Sequence, residues 1–562
     1  MFSGPKHLNA VRLLAFVFWL SAVACGKKQR GQRPHVVFVL ADDFGFNDIG
    51  YHAREHYSDM YTPFLDSLAA KGVILENYYV QPICSPTRGQ LLTGRYQIHT
   101  GLAHGIIRAA QPYGLPLDNI LLSQQLRQCG YKTNMVGKWH LGFFREEYLP
   151  WNRGFQNFFG FLNGGVNHFT RYHCEPKKTR RFCGYDMIDS RYGPTNATYG
   201  EYSTNLFIRK SKEMIDKHNK QKPMFLYLSL QAVHGPLQVP NQYLKRFKHI
   251  RDKNRRIYAG MVYAMDRGIR QLVKHLKRAR MWKNTIFIFS TDNGGQTTRG
   301  GNNWPLRGKK GTLWEGGIRG VGFVHGKPLQ VTTPRVNKEL LHVSDWYPTI
   351  MSATHCPYVV GTPPIDGYDQ WETLRSNKTS KRTEILHNID PLHKKLTESE
   401  FREGFDVSVR AAIRSGDWKL LTGYAGMNEW VVPPECTHGN ITIGQIRDDF
   451  HVYPNSTKNV RLFKITEDPH EEREVSDQYP EVVNLLLARL KEYNTSSLPV
   501  DYPHNDKKSD PKRHGGFWLP WRGVGRKYKR KKFRPHRARK PKLFRRKMKF
   551  KKLQKLNQVW LQ

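Results

Sequence analysis

The stretch from Ile83 to Arg95 contains a thiol, a guanidinium group and several hydroxyl groups within a few residues of one another. Residues Thr87 to Arg95 are predicted to begin a helix, which places Cys84 near a helix N-terminus, where anions are stabilised. The alternative interpretation of Cys84 is a buried thiol near a turn, the usual setting of a lone cysteine. Groups from elsewhere in the chain must decide between the two.

Two adjacent carboxylates, Asp42 and Asp43, follow the apolar run from Pro34 to Leu40. Because the run is apolar on both faces, it predicts a central strand of a parallel sheet. Two carboxylates at the end of a buried strand repel each other unless a cation neutralises them. The alternative is a pair of residues that cap a following helix.

Three further apolar runs are predicted strands that end in polar residues, with helices between them. In open α/β sheets, ligands bind at the carboxyl ends of the strands. A glycine-rich loop from Gly300 to Gly320 is free to wrap a ligand. The polar residues at these strand ends, taken one at a time, fit ordinary surface lysines or histidines buried in the core. Together with Cys84, they predict one site. These residues are Lys138 and His140, then His234, then Asp292 and Asn293.

Two motifs connect these residues to a known family. C-x-P-x-R at Cys84, followed by Leu-Leu and Thr-Gly, resembles the first signature of the sulfatases, and Gly130 to His140 resembles the second. The runs 92–102, 290–296 and 301–308 are similar to the arylsulfatase B, I and J group. The resemblance covers roughly Pro34 to Pro503.

The resemblance implies an α/β fold with an alkaline-phosphatase-like, doubly wound sheet and a smaller C-terminal antiparallel sheet plus helix. Past residue 400, a hairpin around Ser415 to Asp417, a strand at 460–465 and a helix at 481–493 fit that second sheet. The expected organisation is a signal peptide at 1–24, an α/β domain with the active site at 33–400, an α+β domain at 401–505 and a basic, disordered tail at 506–562.

In the sulfatases, a separate formylglycine-generating enzyme oxidises the cysteine to an aldehyde, whose hydrate attacks the sulfate ester. The second hydroxyl of the hydrate then expels sulfate, so water need not attack sulfur. By resemblance, Arg88 holds the hydrate, and Lys138, His234 and Lys310 neutralise the sulfate oxygens. His140 is the candidate base and His234 the candidate acid. One Ca²⁺ is expected on Asp42, Asp43, Cys84, Asp292 and Asn293, with Mg²⁺ as the alternative.

The resemblance implies a sulfated glycosaminoglycan sugar, such as N-acetylgalactosamine 4-sulfate, as substrate. A phosphatase or phosphodiesterase of the same superfamily is one alternative, although it would normally have Ser or Thr as nucleophile and a second metal set. A secreted glycosaminoglycan-binding protein with little activity is the other. That alternative predicts the loss of at least one active-site residue, and none is missing.

The chain has 562 residues and a formal net charge of +43. From Arg522 to Lys555 there are 19 lysines and arginines and no acidic residue. Such a tail favours polyanions or an anionic surface. Lys6 and Arg12, then an apolar run at 13–20 and the small residues Ala22 and Ala24, predict a secretory signal peptide. No later run is long enough for a transmembrane helix.

Entry into the secretory pathway argues against nucleic acid as a partner and leaves lysosome, extracellular space or endoplasmic reticulum as destinations. It also makes five N-x-S/T sequons possible glycan acceptors. They are Asn196, Asn377, Asn440, Asn455 and Asn494.

Seven cysteines are few for this length, so any disulfides are expected to be local. Cys174 and Cys183 flank a short loop and are predicted to pair. Cys356 with Cys436 is a weaker expectation, and Cys129 is expected to be a free thiol in the core. Cys25 lies at the signal-peptide cleavage point.

Overall fold

The computed structural model describes residues 33–55, 58–175, 182–331, 333, 335–433 and 458–523. Several predictions fall outside these ranges: the signal peptide with Cys25, the sequons Asn440 and Asn455, Cys436, and the basic tail after Gly523. Within the described ranges, no helix is both long and apolar enough to cross a membrane.

The strands lie mostly in two sheets. They are β1 (His35–Ala41), β2 (Val73–Leu75), β3 (Tyr78–Tyr79), β4 (Lys132–Lys138), β5 (Asn157–Phe161), β6 (Tyr172–Glu175), β7 (Phe182–Tyr185), β8 (Ile188–Asp189), β9 (Gly193–Pro194), β10 (Met224–Ser229), β11 (Thr285–Thr291), β12 (Gly322–His325), β13 (Arg335–Asn337), β14 (Leu341–His342), β15 (Glu384–Asp390), β16 (Phe401–Arg402), β17 (Phe405–Asp406), β18 (Arg410–Ser415), β19 (Trp418–Thr422) and β20 (Val460–Lys464).

The α-helices cover the faces of these sheets. They are α1 (Gly50–Glu55), α2 (Pro63–Ala69), α3 (Cys84–Thr93), α4 (Leu122–Gln128), α5 (Ser203–Asp216), α6 (Asn241–Leu244), α7 (Lys253–Arg278), α8 (Glu315–Ile318), α9 (Trp346–Ala353), α10 (Trp371–Ser376) and α11 (Pro480–Thr495). Short 3₁₀ helices span Phe46–Asp48, Gln97–His99, Glu146–Tyr148, Pro150–Asn152, Lys245–Phe247, Trp282–Asn284, Thr297–Arg299, Lys327–Leu329, Val343–Asp345, Lys507–Ser509 and Pro511–His514.

The large sheet has ten strands in the order β13-β2-β12-β11-β1-β10-β4-β5-β8-β9. Its centre is parallel: β1 pairs with β10 and β11, and β4 pairs with β10 and β5. Every residue of β1, β10 and β11 is buried, which explains why these runs are apolar on both faces. The predicted central strands are confirmed. They bring the residues that follow β1, β4, β10 and β11 to one edge.

The smaller sheet is antiparallel, with the order β15-β18-β19-β20, and α11 packs on it. The predicted hairpin corresponds to β18 and β19, and the predicted strand at 460–465 to β20. The predicted boundary at residue 400 falls inside this sheet, because β15 already belongs to it. The sequence of β15 does not indicate which sheet the strand joins, because its pairing with β18 is a contact between segments that are distant in the chain.

Residues 506–523 correct the predicted start of the disordered tail. Phe517, Trp518 and Trp521 are buried in the core of the large sheet. Trp518 N donates to Tyr185 O at 2.9 Å and Trp518 Nε1 donates to His173 O at 3.2 Å. The predicted disorder rested on the basic charge of this segment. Its closely spaced aromatic side chains are instead buried together.

The disulfides are one predicted pair and one unpredicted pair. Cys174 and Cys183 are bonded across the β6-β7 hairpin, as predicted. Cys129 is bonded to Cys356, 227 residues away, so the expected free thiol at Cys129 and the expected Cys356–Cys436 pair are both wrong. Cys129 ends α4 and Cys356 follows α9, and only the tertiary packing of these two helices brings the two residues together.

A buried charge network joins the smaller sheet to β3 and α8. Lys419 Nζ on β19 donates to Glu315 Oε1 at 2.8 Å and to Glu471 Oε1 at 2.7 Å. Tyr79 OH donates to Glu315 Oε2 at 2.7 Å, and Arg414 donates to Tyr79 OH. The Lys419, Glu315 and Glu471 side chains are fully buried. Burial, followed by repulsion from Glu315, raises the pKa of Glu471 from 4.5 to about 7.

This network predicts a pH dependence of stability. A carboxyl group whose pKa is raised in the folded state contributes stability that is fully present below its unfolded pKa and is lost as the pH rises through its folded pKa. We therefore expect the free energy of unfolding to fall between about pH 5 and pH 7.5, and to fall less in Glu471→Gln, which has no proton to lose. Urea denaturation at both pH values measures this difference. An equal loss in wild type and Glu471→Gln would assign the pH dependence to other groups.

Candidate active site

Cys84 is the first residue of α3, and Ile83 is its extended N-cap. The helix thus begins three residues earlier than predicted, and the thiol lies at its N-terminus. Cys84 is 2% exposed, and its Sγ donates to Asp42 Oδ1 at 3.6 Å. Burial, followed by the charge of Asp292, raises the pKa of the thiol to about 12. The unmodified thiol is therefore protonated at neutral pH and is a weak nucleophile.

Three carboxylates surround this thiol. One ligand atom from each of Asp42, Asp43, Asp292 and Cys84 lies within 4.8 Å of the others, and all four residues are buried. Asn293 lies beside them, because its Nδ2 donates to Asp43 Oδ1 at 2.8 Å. Asn293 Oδ1 is buried and has no hydrogen-bond partner among the described residues. Buried carboxylates with an unpartnered amide oxygen match the donors that bind hard cations, so the cluster fits a metal site.

Basic side chains pair with these carboxylates. Arg88 donates to Asp292 Oδ2 through Nη2 at 2.7 Å and through Nε at 3.2 Å, and its Nη1 donates to Ser229 Oγ at 2.6 Å. Lys138 Nζ donates to Asp42 Oδ2 at 2.7 Å. Arg88 and Lys138 are fully enclosed, which fixes their positions.

Lys310 and His234 form the more open side of the site. Lys310 Nζ lies 2.5 Å from Asp43 Oδ1, and His234 Nε2 lies 3.8 Å from Asp43 Oδ2. Their side chains are 12% and 26% exposed, so an incoming anion meets them first. Burial alone would raise the pKa of Asp43, but the charge of Lys310 and the hydrogen bonds from Lys310 and Asn293 hold it below its ordinary value. Asp43 is thus a permanent anion within the cluster.

His140 presents a free ring nitrogen. Its Nε2 lies 3.1 Å from Ile107 O and can only donate there, so Nδ1 carries the lone pair. Nδ1 is buried and has no partner among the residues the structure describes. Burial, followed by the positive charge of Lys138, lowers the pKa of His140 well below 6.5. The backbone of His140 is left-handed, with φ of 58°, a strain that is common at functional sites.

His234 is oriented in a comparable way. Its Nδ1 lies 2.6 Å from Gly235 O and donates to it, which leaves the lone pair on Nε2, the atom that faces Asp43. Burial lowers the pKa of His234 to about 3, even though Asp43 acts in the opposite direction. The imidazole is therefore neutral before an anion binds, and it must take up a proton before it can act as an acid.

Gly164 and Gly165, which the sequence analysis did not identify, lie directly against the rings of His140 and His234. A Cβ atom on Gly164 would lie 2.8 Å from His140 Cε1, and one on Gly165 would lie 3.0 Å from His234 Cε1. His173 Nδ1 donates to Gly165 O at 2.6 Å, and Trp518 packs edge-on against the His173 ring. The adjacent glycines after β5 were the available signal, but the sequence did not show which side chains would lie against them.

The structure brings all ten predicted active-site residues to one edge of the large sheet. It adds Ser229 as a partner of Arg88 and the carbonyl of Ile107 as a partner of His140. The ten residues are Asp42, Asp43, Cys84, Arg88, Lys138, His140, His234, Asp292, Asn293 and Lys310.

Comparison with known proteins agrees with this geometry. The sulfatase family model matches residues 34–356. The chain belongs to the sulfatase family. Arylsulfatase J of Mus musculus is 46% identical over 87% of this chain and 80% of that protein. N-acetylgalactosamine-6-sulfatase of Mus musculus is 30% identical over 87% of this chain and 91% of that protein. The predicted assignment to an arylsulfatase-type sulfuric ester hydrolase is confirmed.

Solved structures confirm the fold class of this sulfatase. The crystal structure of Ps i-CgsB is similar with a TM-score of 0.69 and 27% identity, covering 86% of this chain and 97% of that one. The same protein in complex with k-i-k-neocarrahexaose gives a TM-score of 0.68. The alkaline-phosphatase-like α/β architecture with a smaller antiparallel sheet is therefore the fold of this chain.

Proposed function

We propose that this sulfatase hydrolyses sulfate esters of a glycosaminoglycan sugar through a formylglycine derived from Cys84, with one Ca²⁺ at the carboxylate cluster. The observation that carries the proposal is the buried cluster of Asp42, Asp43 and Asp292 around Cys84, with basic groups paired to each carboxylate. A buried thiol with a pKa near 12 is a poor nucleophile, which favours a modified side chain at this position.

Asp42, Asp43, Asp292 and Asn293, with position 84, are the residues that would hold the cation. The donors are mostly anionic oxygens, which suits Ca²⁺, and Mg²⁺ would accept the same donors with stricter geometry. A bound divalent cation supplies positive charge beside a sulfate oxygen. Asn293 Oδ1, which is buried without a described partner, supports the presence of a cation at this place.

A hydrated formylglycine at position 84 supplies an oxygen nucleophile with a second hydroxyl group. Arg88 is the residue that would orient that side chain, because it is fixed by Ser229 and by Asp292, whose carboxylate lies within 4.8 Å of the Cys84 thiol. Lys138 and Lys310 place positive charge at the edge where sulfate would bind. This positive charge stabilises the negative charge that develops on the sulfate oxygens as the ester bond breaks.

The two histidines have distinct proton roles in this proposal. His140 Nδ1 carries a lone pair toward the buried site and is positioned to accept a proton. His234 Nε2 faces the open side, where the negative charge of a bound sulfate favours its protonation and therefore its delivery of a proton to the leaving alcohol. Gly164 and Gly165 leave the room that both rings occupy, since a Cβ atom on either residue would crowd the ring beside it.

A sulfated N-acetylgalactosamine, such as the 4-sulfate, is the proposed substrate sugar. Two comparisons support it: one relative is named N-acetylgalactosamine-6-sulfatase, and the solved Ps i-CgsB was crystallised with k-i-k-neocarrahexaose. The +43 net charge suits a polyanionic polymer, and the basic tail is proposed to bind polyanions or an anionic surface.

A secretory route, ending in the lysosome, the extracellular space or the endoplasmic reticulum, remains part of the proposal. Of the five proposed glycan acceptors, Asn196, Asn377 and Asn494 are exposed on the described surface, as glycosylation requires.

Mass spectrometry of the peptide that contains Cys84, from protein secreted by animal cells, tests the modification. Exchange of sulfur for oxygen with loss of two hydrogens lowers the mass by about 18 Da. Unmodified cysteine alone, in cells that modify a control sulfatase, would falsify the formylglycine proposal. Elemental analysis of the same preparation tests the cation, with one calcium per chain expected.

Lys310→Gln tests the role of the sulfate-facing lysine. We expect kcat for a small aryl sulfate to fall by about 10²- to 10³-fold, because a positive charge aimed at the transition state is lost. Lys309→Gln is the matched control, since Lys309 faces Glu429 at 4.0 Å instead of the carboxylate cluster. Similar losses in both variants would remove Lys310 from the proposed mechanism.

A further inference from the structure

A second group of charged residues lies beside the active site, where the smaller sheet meets it. We define the rim cluster as His104, Asp390, His393, Lys394 and Arg410. Asp390 ends β15 and Arg410 begins β18, so neighbouring strands hold these two residues. The proposed mechanism uses none of the five.

One side of the rim cluster contacts the loop that carries Lys310. Arg410 Nη2 donates to Gly311 O at 2.6 Å, and Gly311 directly follows Lys310. Gly311 N in turn donates to Pro82 O at 2.7 Å, two residues before Cys84. Arg410 is therefore one residue removed from a sulfate-facing lysine.

The other side of the cluster reaches the loop that holds His140. His104 Nδ1 lies 2.9 Å from Asp390 Oδ1, and the His104 ring packs edge-on against Tyr502 with centroids 4.7 Å apart. Tyr502 OH donates to Ile106 O at 3.1 Å, next to the residue whose carbonyl accepts from His140. A continuous series of contacts thus joins Lys310 to His140 through the rim cluster.

Arg410 has hydrogen-bonding capacity to spare. It is only 7% exposed, and its Nε has no partner among the described residues. Burial lowers its pKa to about 10 despite the nearby charge of Asp390, whose oxygens already face His104. A buried guanidinium with an unused donor is suited to a planar or tetrahedral anion.

The surroundings of Arg410 add positive charge. Lys394 Nζ lies 4.2 Å from the centroid of the Tyr424 ring, and the His393 ring stacks on the same tyrosine. Asp390 is the only carboxylate of the cluster, against the positive charges of Lys394 and Arg410. A surface of this kind attracts an anion next to the sulfate that is cleaved.

We propose that the rim cluster binds an anionic group on the sugar next to the one that carries the scissile sulfate. The group is a uronate carboxylate or a second sulfate, which share the chemistry that a guanidinium recognises. This inference rests on the proposed function and extends it, because it makes the preferred substrate a polyanionic saccharide instead of an isolated sulfate monoester.

Three substrates test the subsite with purified enzyme. They are 4-methylumbelliferyl sulfate, a uronate-containing disaccharide that carries a second sulfate besides the scissile one, and the same disulfated disaccharide with its carboxylate reduced to an alcohol. We expect Arg410→Gln to lower kcat/KM on the unreduced disaccharide by about 10- to 100-fold and to leave the aryl sulfate almost unchanged. If the loss disappears on the reduced disaccharide, the cluster binds the carboxylate; if it persists, the cluster binds a sulfate.

Lys394→Gln keeps the test valid if Arg410→Gln does not fold, because Lys394 is exposed. Its matched control is Lys274→Gln, an exposed lysine on α7 with the same change in charge. A smaller loss, confined to the disaccharides and absent in Lys274→Gln, is expected. Equal effects of the rim variants on all three substrates overturn the subsite, whereas a wild-type enzyme inactive on all three overturns the proposed function instead.

Discussion

Cys84→Ala is expected to lower kcat for a sulfate ester by about 10⁴- to 10⁶-fold, the loss that follows removal of a nucleophile. Stability should change little, because the one hydrogen bond that the structure gives the Cys84 thiol, to Asp42 Oδ1, is long at 3.6 Å. Steady-state kinetics on 4-methylumbelliferyl sulfate, with thermal unfolding of the same samples, measures both quantities.

Cys84→Ser is the informative companion to the alanine variant. Serine keeps a polar group of similar size, but a single hydroxyl that attacked sulfur would leave a sulfated enzyme with no second hydroxyl to expel the sulfate. We therefore expect Cys84→Ser to be as inactive in turnover as Cys84→Ala. Activity of the serine variant within about tenfold of wild type would mean that no aldehyde is needed.

Lys419→Met is expected to lower the free energy of unfolding by about 3–5 kcal/mol, the cost of leaving buried charges without a partner. Methionine fills a similar volume, but Glu315 and Glu471 then lose the ammonium group that both accept from. Urea denaturation at about pH 7.5 measures the loss. A variant destabilised by less than about 1 kcal/mol would contradict this assignment.

Two further variants show that charge causes the loss. Glu471→Gln added to Lys419→Met should recover part of the stability, because it removes one unpaired carboxylate. Lys395→Met breaks a more exposed pair with Asp406, and we expect a change of at most about 1 kcal/mol there. Activity is a second readout for Lys419→Met, since Glu315 begins α8 shortly after Lys310.

The sequence was a good guide wherever local pattern and strand direction were sufficient. The apolar runs of β1, β10 and β11 predicted a buried parallel centre, and parallel strands must bring their carboxyl ends to one edge. For that reason Asp42 and Asp292, which are 250 positions apart in the chain, could be predicted to meet. Cys84 could be assigned to the same site only through its C-x-P-x-R motif, because a single cysteine in an apolar segment does not by itself indicate a site.

Contacts that depend on tertiary packing were not predictable in this way. The Cys129–Cys356 bond needs α4 and α9 to lie side by side, and no spacing rule connects cysteines so far apart. The burial of Trp518 depends on a surface made by residues from distant segments. The role of Gly164 is visible only once the His140 ring is in place beside it.

The enclosure of Cys84 also has a consequence for the timing of the proposed modification. A thiol that is 2% exposed is closed to a modifying enzyme after folding, so the proposed oxidation of Cys84 must precede folding. The residues that close over it are made late: at about 5–20 residues per second, Asp292 follows Cys84 from the ribosome by roughly 10 to 40 s. That interval is the window in which a modifying enzyme competes with folding. A mutation that speeds early folding could therefore lower activity without altering any group in the finished site.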